Sequence, residues 1–259
     1  MLTERLVAEA VRAAHIDAPA HFLEVTESTN SDLLMLAEEG AREWTVVVAK
    51  QQEAGRGRLG RTWVSSPGSS LLCSVLLRPK LGPTDAPLLT LAAGAAMTLA
   101  CREACGVEAR CKWPNDVTVD GRKLGGVLVE AKVQDGRVLH AVVGAGVNLK
   151  QRHEDFPPEI RETATSVDLE EGRLEPQALL TRYLIELLRL SDALVGHPQR
   201  LLDTYLDVCA TLGRRVRATT TAGEEVVGRA VGIGPSGELL LETSSGLSRV
   251  GFGEIGHLD

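Results

Sequence analysis

Two hydrophobic periods alternate along the chain, and the switches between them divide it into parts. Apolar residues at 2, 6, 7, 10, 11 and 14 recur at helical spacing, so 2–14 reads as an amphipathic helix. A short extended stretch, 21–25, leads through Thr26-Glu-Ser-Thr-Asn30 into a second helix, 31–39, closed by Gly40. TVVVAK at 45–50 and SLLCSVLL at 70–77 are apolar runs of strand length, hence buried strands. The Ala/Leu-rich segment 84–105, with Asp85 near its start and Gly106 at its end, reads as one long helix. Its near-uniform apolarity implies burial against a sheet. Segments 109–119, 123–133 and 138–148 are strands joined by Asp120-Gly121 and Asp135-Gly136. Both pairs favour tight hairpins, so the three strands form an antiparallel meander. Two amphipathic helices follow, 176–194 and 198–212, the first opened by Pro176. From 213 the period becomes two. Short strands at 214–220, 224–233, 238–243 and 247–252, separated by Ala222-Gly223, Pro235-Ser-Gly237 and Ser244-Ser-Gly246, read as a small β-barrel.

The sum is an α+β fold: a mixed, mainly antiparallel sheet flanked by helices, with the barrel appended. The 259 residues divide into a large domain, 1–211, and the small one, 212–259. A formal charge of −7 argues against a general nucleic-acid binder but leaves room for a local basic site. The first residues carry charges among their apolar positions and lack a signal-peptide core, and no apolar run reaches about 18 residues, so no membrane is expected. The five cysteines form no CxxC pair. Cys101 and Cys105, four apart on a helix, read as small buried thiols rather than a metal pair, and the expected location is the cytoplasm.

Candidate chemistry starts at Gln52–Arg61, QEAGRGRLGR, directly after a strand. Its glycines permit close backbone approach to a ligand, and its arginines are forks shaped for carboxylate or phosphate oxygens. Nothing in the stretch is expected to bury itself, which makes it a mobile loop that an anionic ligand orders. The literal GxGxxG from Gly55 to Gly60 is not a dinucleotide fingerprint, because Arg-Thr-Trp-Val-Ser-Ser-Pro-Gly follows where a helix should open. Lys112-Trp113-Pro114-Asn115-Asp116 gathers a point charge, an amide and a carboxylate around a proline. Such a set suits phosphate and Mg2+, although a strand interrupted at Pro114 is the plain alternative. Lys123 precedes Gly125-Gly126 inside a strand, and Gly144-Ala-Gly146-Val-Asn148 repeats the pattern, which suggests a flat ligand floored by two glycine-thinned strands. Ser28, Thr29 and Asn30 have helix capping as their default task, but one cap needs one residue. No nucleophile has a base in register, so an enzyme built this way works by positioning and charge neutralisation.

With Ser28-Thr29-Asn30, Gln52 and GRGRLGR, Trp63, KWPND at 112–116, RKLGG at 122–126 and GAGVN at 144–148 in order, the chain resembles the biotin protein ligases over roughly 24–259. The resemblance implies a catalytic domain akin to class II aminoacyl-tRNA synthetases, with a C-terminal SH3-like barrel. It implies ATP-dependent biotinylation of a lysine on a biotin carboxyl carrier domain by way of biotinyl-5'-AMP. Ser28, Thr29, Asn30 and Gln52 would hold biotin's polar ring, together with the backbone of Gly55 and Arg56, and Gly125, Gly126 and Leu128 would lie against the bicycle. Arg56, Arg58 and Lys123 would meet the biotin carboxylate and the α-phosphate. Lys112, Asn115 and Arg61 would serve the triphosphate, Asn115 also Mg2+, and Trp63 and Asn148 the adenine side. Asp116 would accept or orient the proton that the acceptor lysine must lose. Two departures stand out: Gly125 replaces a common alanine, and Leu149 follows Asn148 where a second asparagine is common.

Three rival readings remain. A lipoate-type ligase is disfavoured by the polar set at 28–30 and 52. A biotin-responsive DNA-binding repressor would need more than the one helix ahead of Ser28, so no DNA is expected. A non-catalytic biotin sensor has no use for Arg58, Lys112 and Lys123. Relatives in the family dimerise or dock the acceptor along a sheet edge, which makes a homodimer one expectation.

Overall fold

A computed structural model describes residues 2–220, 223–251 and 253–258. After α1 (Glu4–Ala13) come β1 (Ala20–Leu23), α2 (Thr29–Glu38), β2 (Val46–Ala49) and β3 (Ser70–Leu77). Helix α3 (Ala86–Ala100) continues through a wider turn, Cys101–Cys105, and ends at Gly106 with φ +73. The strands β4 (Arg110–Lys112), β5 (Asp116–Val119), β6 (Arg122–Gln134) and β7 (Arg137–Asn148) follow, then α4 (Pro176–Gly196) and α5 (Pro198–Val208). The C-terminal strands are β8 (Arg215–Thr220), β9 (Glu225–Ile233), β10 (Leu239–Thr243), β11 (Gly246–Val250) and β12 (Gly253–His257).

Seven strands form one sheet in the order β1-β2-β3-β7-β6-β5-β4, antiparallel except for the β1–β2 pair. Alternation along β3 explains the layering. Leu71, Cys73, Val75 and Leu77 join Val46, Val48, Val143 and Val147 in a large core that also takes residues from α1, α3, α4 and α5. The opposite face is covered differently. Val47, Leu76 and Val142 pack with Leu33 and Ala37 of α2 in a small separate cluster. On the same face but nearer the other end, the register lines up Ser74 with Gly144, Leu72 with Gly146, Leu128 with Gly144 and Gly126 with Gly146. Only the first turn of α2, at Thr29 and Asn30, reaches that end among the described residues. The site lies there.

Asp120-Gly121 and Asp135-Gly136 all have positive φ, the conformation a two-residue hairpin turn demands, so the expected meander forms. The segment expected as one strand, 109–119, is two strands paired antiparallel and turned at Trp113-Pro114-Asn115, whose Trp113–Pro114 peptide is cis. Helix α2 begins two residues before the expected start, and α5 stops at Val208 rather than 212. Helix α3 with its wide turn is long and apolar enough to cross a membrane, more so than the sequence pattern suggested, but its side chains are mostly buried among the sheet and α4. All five cysteines are buried free thiols.

The C-terminal strands form an antiparallel sheet in the order β11-β10-β9-β8-β12. It contains one strand more than the hydrophobic pattern marks, β12, whose only large apolar residue is Ile255. Ala222 of an expected turn and Phe252 at an expected strand end lie outside the described residues. This sheet is keyed to the first through Trp113, which is 2% exposed. Its indole N–H donates to Gly237 O at 2.9 Å, and its backbone N–H donates to Thr211 Oγ1 at 3.0 Å.

Candidate active site

The first wall of the site is the start of α2. Ser28 occupies the capping position with extended backbone, yet its side chain makes no capping bond, so the default expectation for this cluster is not what the residues do. Ser28, Thr29 and Asn30 are all buried, and Thr29 and Asn30 meet Ser74 of β3. Gln52 Oε1 accepts from the backbone N–H of Thr29 at 2.8 Å and from its hydroxyl at 3.0 Å. Because a backbone N–H can only donate, this bond fixes the amide of Gln52 with its oxygen toward α2. Ser74 Oγ lies 2.7 Å from Thr29 Oγ1 and 2.6 Å from Asn30 Oδ1. Asn30 Nδ2 donates to Glu130 Oε2 at 2.7 Å.

The second wall is the arginine loop. It is tied at its base by bridges between Thr26 and Gln52 and between Arg56 and Thr62, and it turns through Leu59 at φ +55 and Gly60 at φ +75. The expectation that nothing in it would be buried is corrected: Gly55 is buried and Arg58 half-buried. A Cβ at Gly55 would fall 2.6 Å from Trp63 O, so the returning chain leaves room for glycine alone. Arg58 donates to Asn115 Oδ1 at 2.9 Å and to Gly253 O at 3.3 Å. Burial pushes its guanidinium down, opposed by the charges of Asp116 and Glu254. Arg56 Nη2 donates to Glu130 Oε2 at 2.8 Å, and Arg61 pairs with Glu254.

The third wall is the hairpin β4–β5 with the start of β6. Lys123 Nζ meets Asp116 Oδ1 at 2.6 Å, and Lys112 is half-buried beside them. Burial pushes the Lys112 ammonium down, against the pull of Asp116, while the charge of Lys123 adds to the lowering. Gly126, Gly144 and Gly146 leave room for neighbouring side chains. Added Cβ atoms would fall 2.1 Å from Asn30 Oδ1 at Gly144 and 2.7 Å from the Trp63 ring at Gly146. At Gly126 the neighbours are Asp116 and Lys123, and at Gly125 Gly146 O is only 2.6 Å away. A one-residue bulge between Lys123 and Gly125 bends the strand there.

These walls enclose a cavity of about 790 Å3. Residues 22–148 match the Biotin/lipoate A/B protein ligase family, and 211–258 match the Biotin protein ligase C terminal domain. A Biotin--[acetyl-CoA-carboxylase] ligase of Paracoccus denitrificans is 35% identical over 89% of this chain and 97% of its own length. The Bifunctional ligase/repressor BirA of Bacillus subtilis is 34% identical over 90% of this chain and 72% of its own length. The chain belongs to the biotin protein ligase family. A solved ligase of this family, from Aquifex aeolicus in complex with biotin and ATP, superposes with a TM-score of 0.79 at 26% identity, covering 92% of this chain and 99% of that one.

In this ligase the cavity is lined by every site residue the sequence singles out except Gly55 and Gly125. It is also lined by residues that the sequence reading did not single out: the segment 156–164, Arg217 and Thr219 of β8, and 253–256 of β12. Phe156-Pro157-Pro158, apolar inside an otherwise polar loop, is the one sequence signal for the first of these. Asn148 faces the cavity, but its amide is engaged on both ends, donating to Thr165 O at 2.9 Å and accepting from Gln151 at 3.1 Å. The indole N–H of Trp63 is buried without an acceptor among the described residues.

A protein-held magnesium does not fit. Asn115 Oδ1 already accepts from Arg58, so a dication there would face a guanidinium, and Asn115 Nδ2 donates to Val127 O at 2.9 Å. The nearest carboxylate, Asp116, is matched by Lys123. Among the described residues no group of three or more His, Cys, Asp or Glu could hold a metal ion. The expectation of Asn115 as a magnesium ligand is therefore not carried forward.

Proposed function

We infer that this protein attaches biotin to the lysine of a biotin carboxyl carrier domain at the expense of ATP. Biotin and ATP give biotinyl-5'-AMP and pyrophosphate, and the biotinyl group then passes to the lysine amine. The observation that carries the reading is convergence: segments 28–30, 52–63, 112–116, 123–128 and 144–148 meet at one cavity. The relatives' ligase activity and the neighbour holding biotin and ATP support it.

The chemistry asks for what the cavity contains. A carboxylate must attack an α-phosphate, anion against anion, and Arg58, Lys112 and Lys123 are the cations that would reduce that repulsion. Thr29, Asn30 and Gln52 would fit the polar ring of biotin, a group with both donors and acceptors. Trp63 would lie on the adenine side. Mg2+ would enter as the counter-ion of the ATP triphosphate, as part of the substrate. In the second step the acceptor amine must lose a proton. Asp116 would take or orient it once an anionic ligand has drawn Lys123 away. We assign residues 1–211 to catalysis and 212–259 to a small barrel that walls the nucleotide end, in the reducing cytoplasm where five free thiols persist.

ATP–pyrophosphate exchange with purified protein tests the reading, with biotin and lipoate compared as the stimulating acid. Stimulation by biotin alone is expected. Stimulation by lipoate would transfer the protein to the sibling activity, and silence with retained biotin binding would favour a sensor.

A further inference from the structure

We propose that Glu130 is a positioning residue for biotin: one carboxylate oxygen holds the arginine loop and the start of α2 in a single arrangement. The proposal rests on the biotin-ligase reading for its substrate. Glu130 closes the segment 122–130 that carries Lys123 and the glycine pair, but the sequence gives it no role and it is not among the expected site residues. It lies on β6, two residues beyond Leu128, with its side chain 28% exposed.

The geometry is a closed circuit. Glu130 Oε2 accepts from Arg56 Nη2 at 2.8 Å and from Asn30 Nδ2 at 2.7 Å. Asn30 Oδ1 lies 2.6 Å from Ser74 Oγ, which lies 2.7 Å from Thr29 Oγ1, and the backbone N–H of Thr29 donates to Gln52 Oε1 at 2.8 Å. Gln52 and Arg56 are four residues apart on one loop, so the circuit leaves the loop, crosses β6, α2 and β3, and returns to it. An isolated exposed ion pair would contribute little. Here the same oxygen has a second donor on a residue only 4% exposed, and that residue abuts Ser74 at 0% exposure. A polar network buried at Asn30, Thr29 and Ser74 and open at Arg56 holds its outer members through its inner ones.

Two consequences follow. The guanidinium of Arg56 is matched by Glu130 and serves to anchor the loop. Glu130, able only to accept, also turns the NH2 of Asn30 toward itself, so Asn30 presents its oxygen to Ser74. Removing the carboxylate frees both the loop and the amide.

The test is exchange kinetics with Glu130→Ala, Glu130→Gln, Arg56→Ala and the double variant Arg56→Ala/Glu130→Ala. Loss of bonds to a charged acceptor predicts a biotin KM raised about tenfold in Glu130→Ala, with the ATP KM changed by less than about twofold. Glu130→Gln keeps an oxygen in place and should recover most of the loss. The double variant should be well short of the product of the two single effects. A biotin KM near wild type in Glu130→Ala, equal rises in biotin and ATP KM, or multiplicative effects in the double variant would overturn the proposal. Should Glu130→Ala lack a cooperative unfolding transition, Glu130→Gln and Arg56→Ala decide by the same KM split. If wild-type protein shows no biotin-stimulated exchange, the functional reading falls. Trypsin cleavage after Arg56, Arg58 and Arg61 then judges the positioning claim, with faster cleavage in Glu130→Ala supporting it and an unchanged rate overturning it.

Discussion

At the scale of single residues, the site stores its cations against its own carboxylates. Arg56 meets Glu130, Arg61 meets Glu254 and Lys123 meets Asp116, while Arg58 binds two neutral oxygens. A chain of net charge −7 can thus keep several cations ready at one cavity without their mutual repulsion loosening it. The glycines are as specific as the charges. A methyl group at Gly144 would sit 2.1 Å from Asn30 Oδ1 and 2.8 Å from its Cγ, so Asn30 must leave its place and its bonds to Ser74 and Glu130. Gly144→Ala should weaken biotin binding by at least about tenfold and lower stability by about 1–3 kcal/mol, with ATP binding little changed. Isothermal titration with biotin, beside a denaturant curve, checks this. Unaltered biotin affinity would mean that the amide of Asn30 is not part of the pocket.

Among elements, strong periodicity was legible and weak periodicity was not. β3 coincides with the run 70–77 because a strand buried on both faces is nearly all apolar, broken here only by Ser70 and Ser74. β12 carries one large apolar residue among glycines and polar groups, so nothing in its sequence separates it from a tail. The hairpin at Trp113-Pro114-Asn115 was hidden because β4 has only three residues. The same contrast holds for the site: contiguous motifs could be read, whereas Ser74 and Glu130 contribute through Asn30, which lies 44 and 100 positions away from them. Helix ends were partly legible. Gly106 marks where α3 and its wide turn stop, but the group that satisfies the exposed carbonyls is distant in sequence. Arg173 donates to Glu103 O at 2.8 Å, to Ala104 O at 3.2 Å and, from its backbone, to Cys105 O at 2.7 Å. Arg173→Ala removes the two side-chain bonds and should cost about 1–2 kcal/mol in urea unfolding, while biotin and ATP KM stay unchanged. A change in either KM would show that this helix end is coupled to the cavity.

For the whole molecule, the question is how a water-sensitive acyl-adenylate is kept until a carrier lysine arrives. The cavity has walls from both sheets, so retention depends on how the halves are fastened as well as on contacts to the ligand. Trp113 fastens them permanently, through Gly237 and Thr211. The arginine loop fastens them across the opening: Arg58 spans Asn115 on the β4–β5 turn and Gly253 on the C-terminal strand, and Arg61 reaches Glu254 beside it. Closure of this kind excludes water from the intermediate and limits its escape. Arg58→Ala removes a cation and the link between the halves together. It should slow adenylate formation, and it should also let the adenylate that forms leave the site. The expected outcome is biotin on lysines of unrelated proteins such as serum albumin, several-fold above wild type per adenylate made. Streptavidin blotting, normalised to pyrophosphate released, checks it. Bystander labelling at or below the wild-type ratio, in a variant that still makes adenylate, would assign Arg58 to charge neutralisation alone and leave retention to the permanent contact at Trp113.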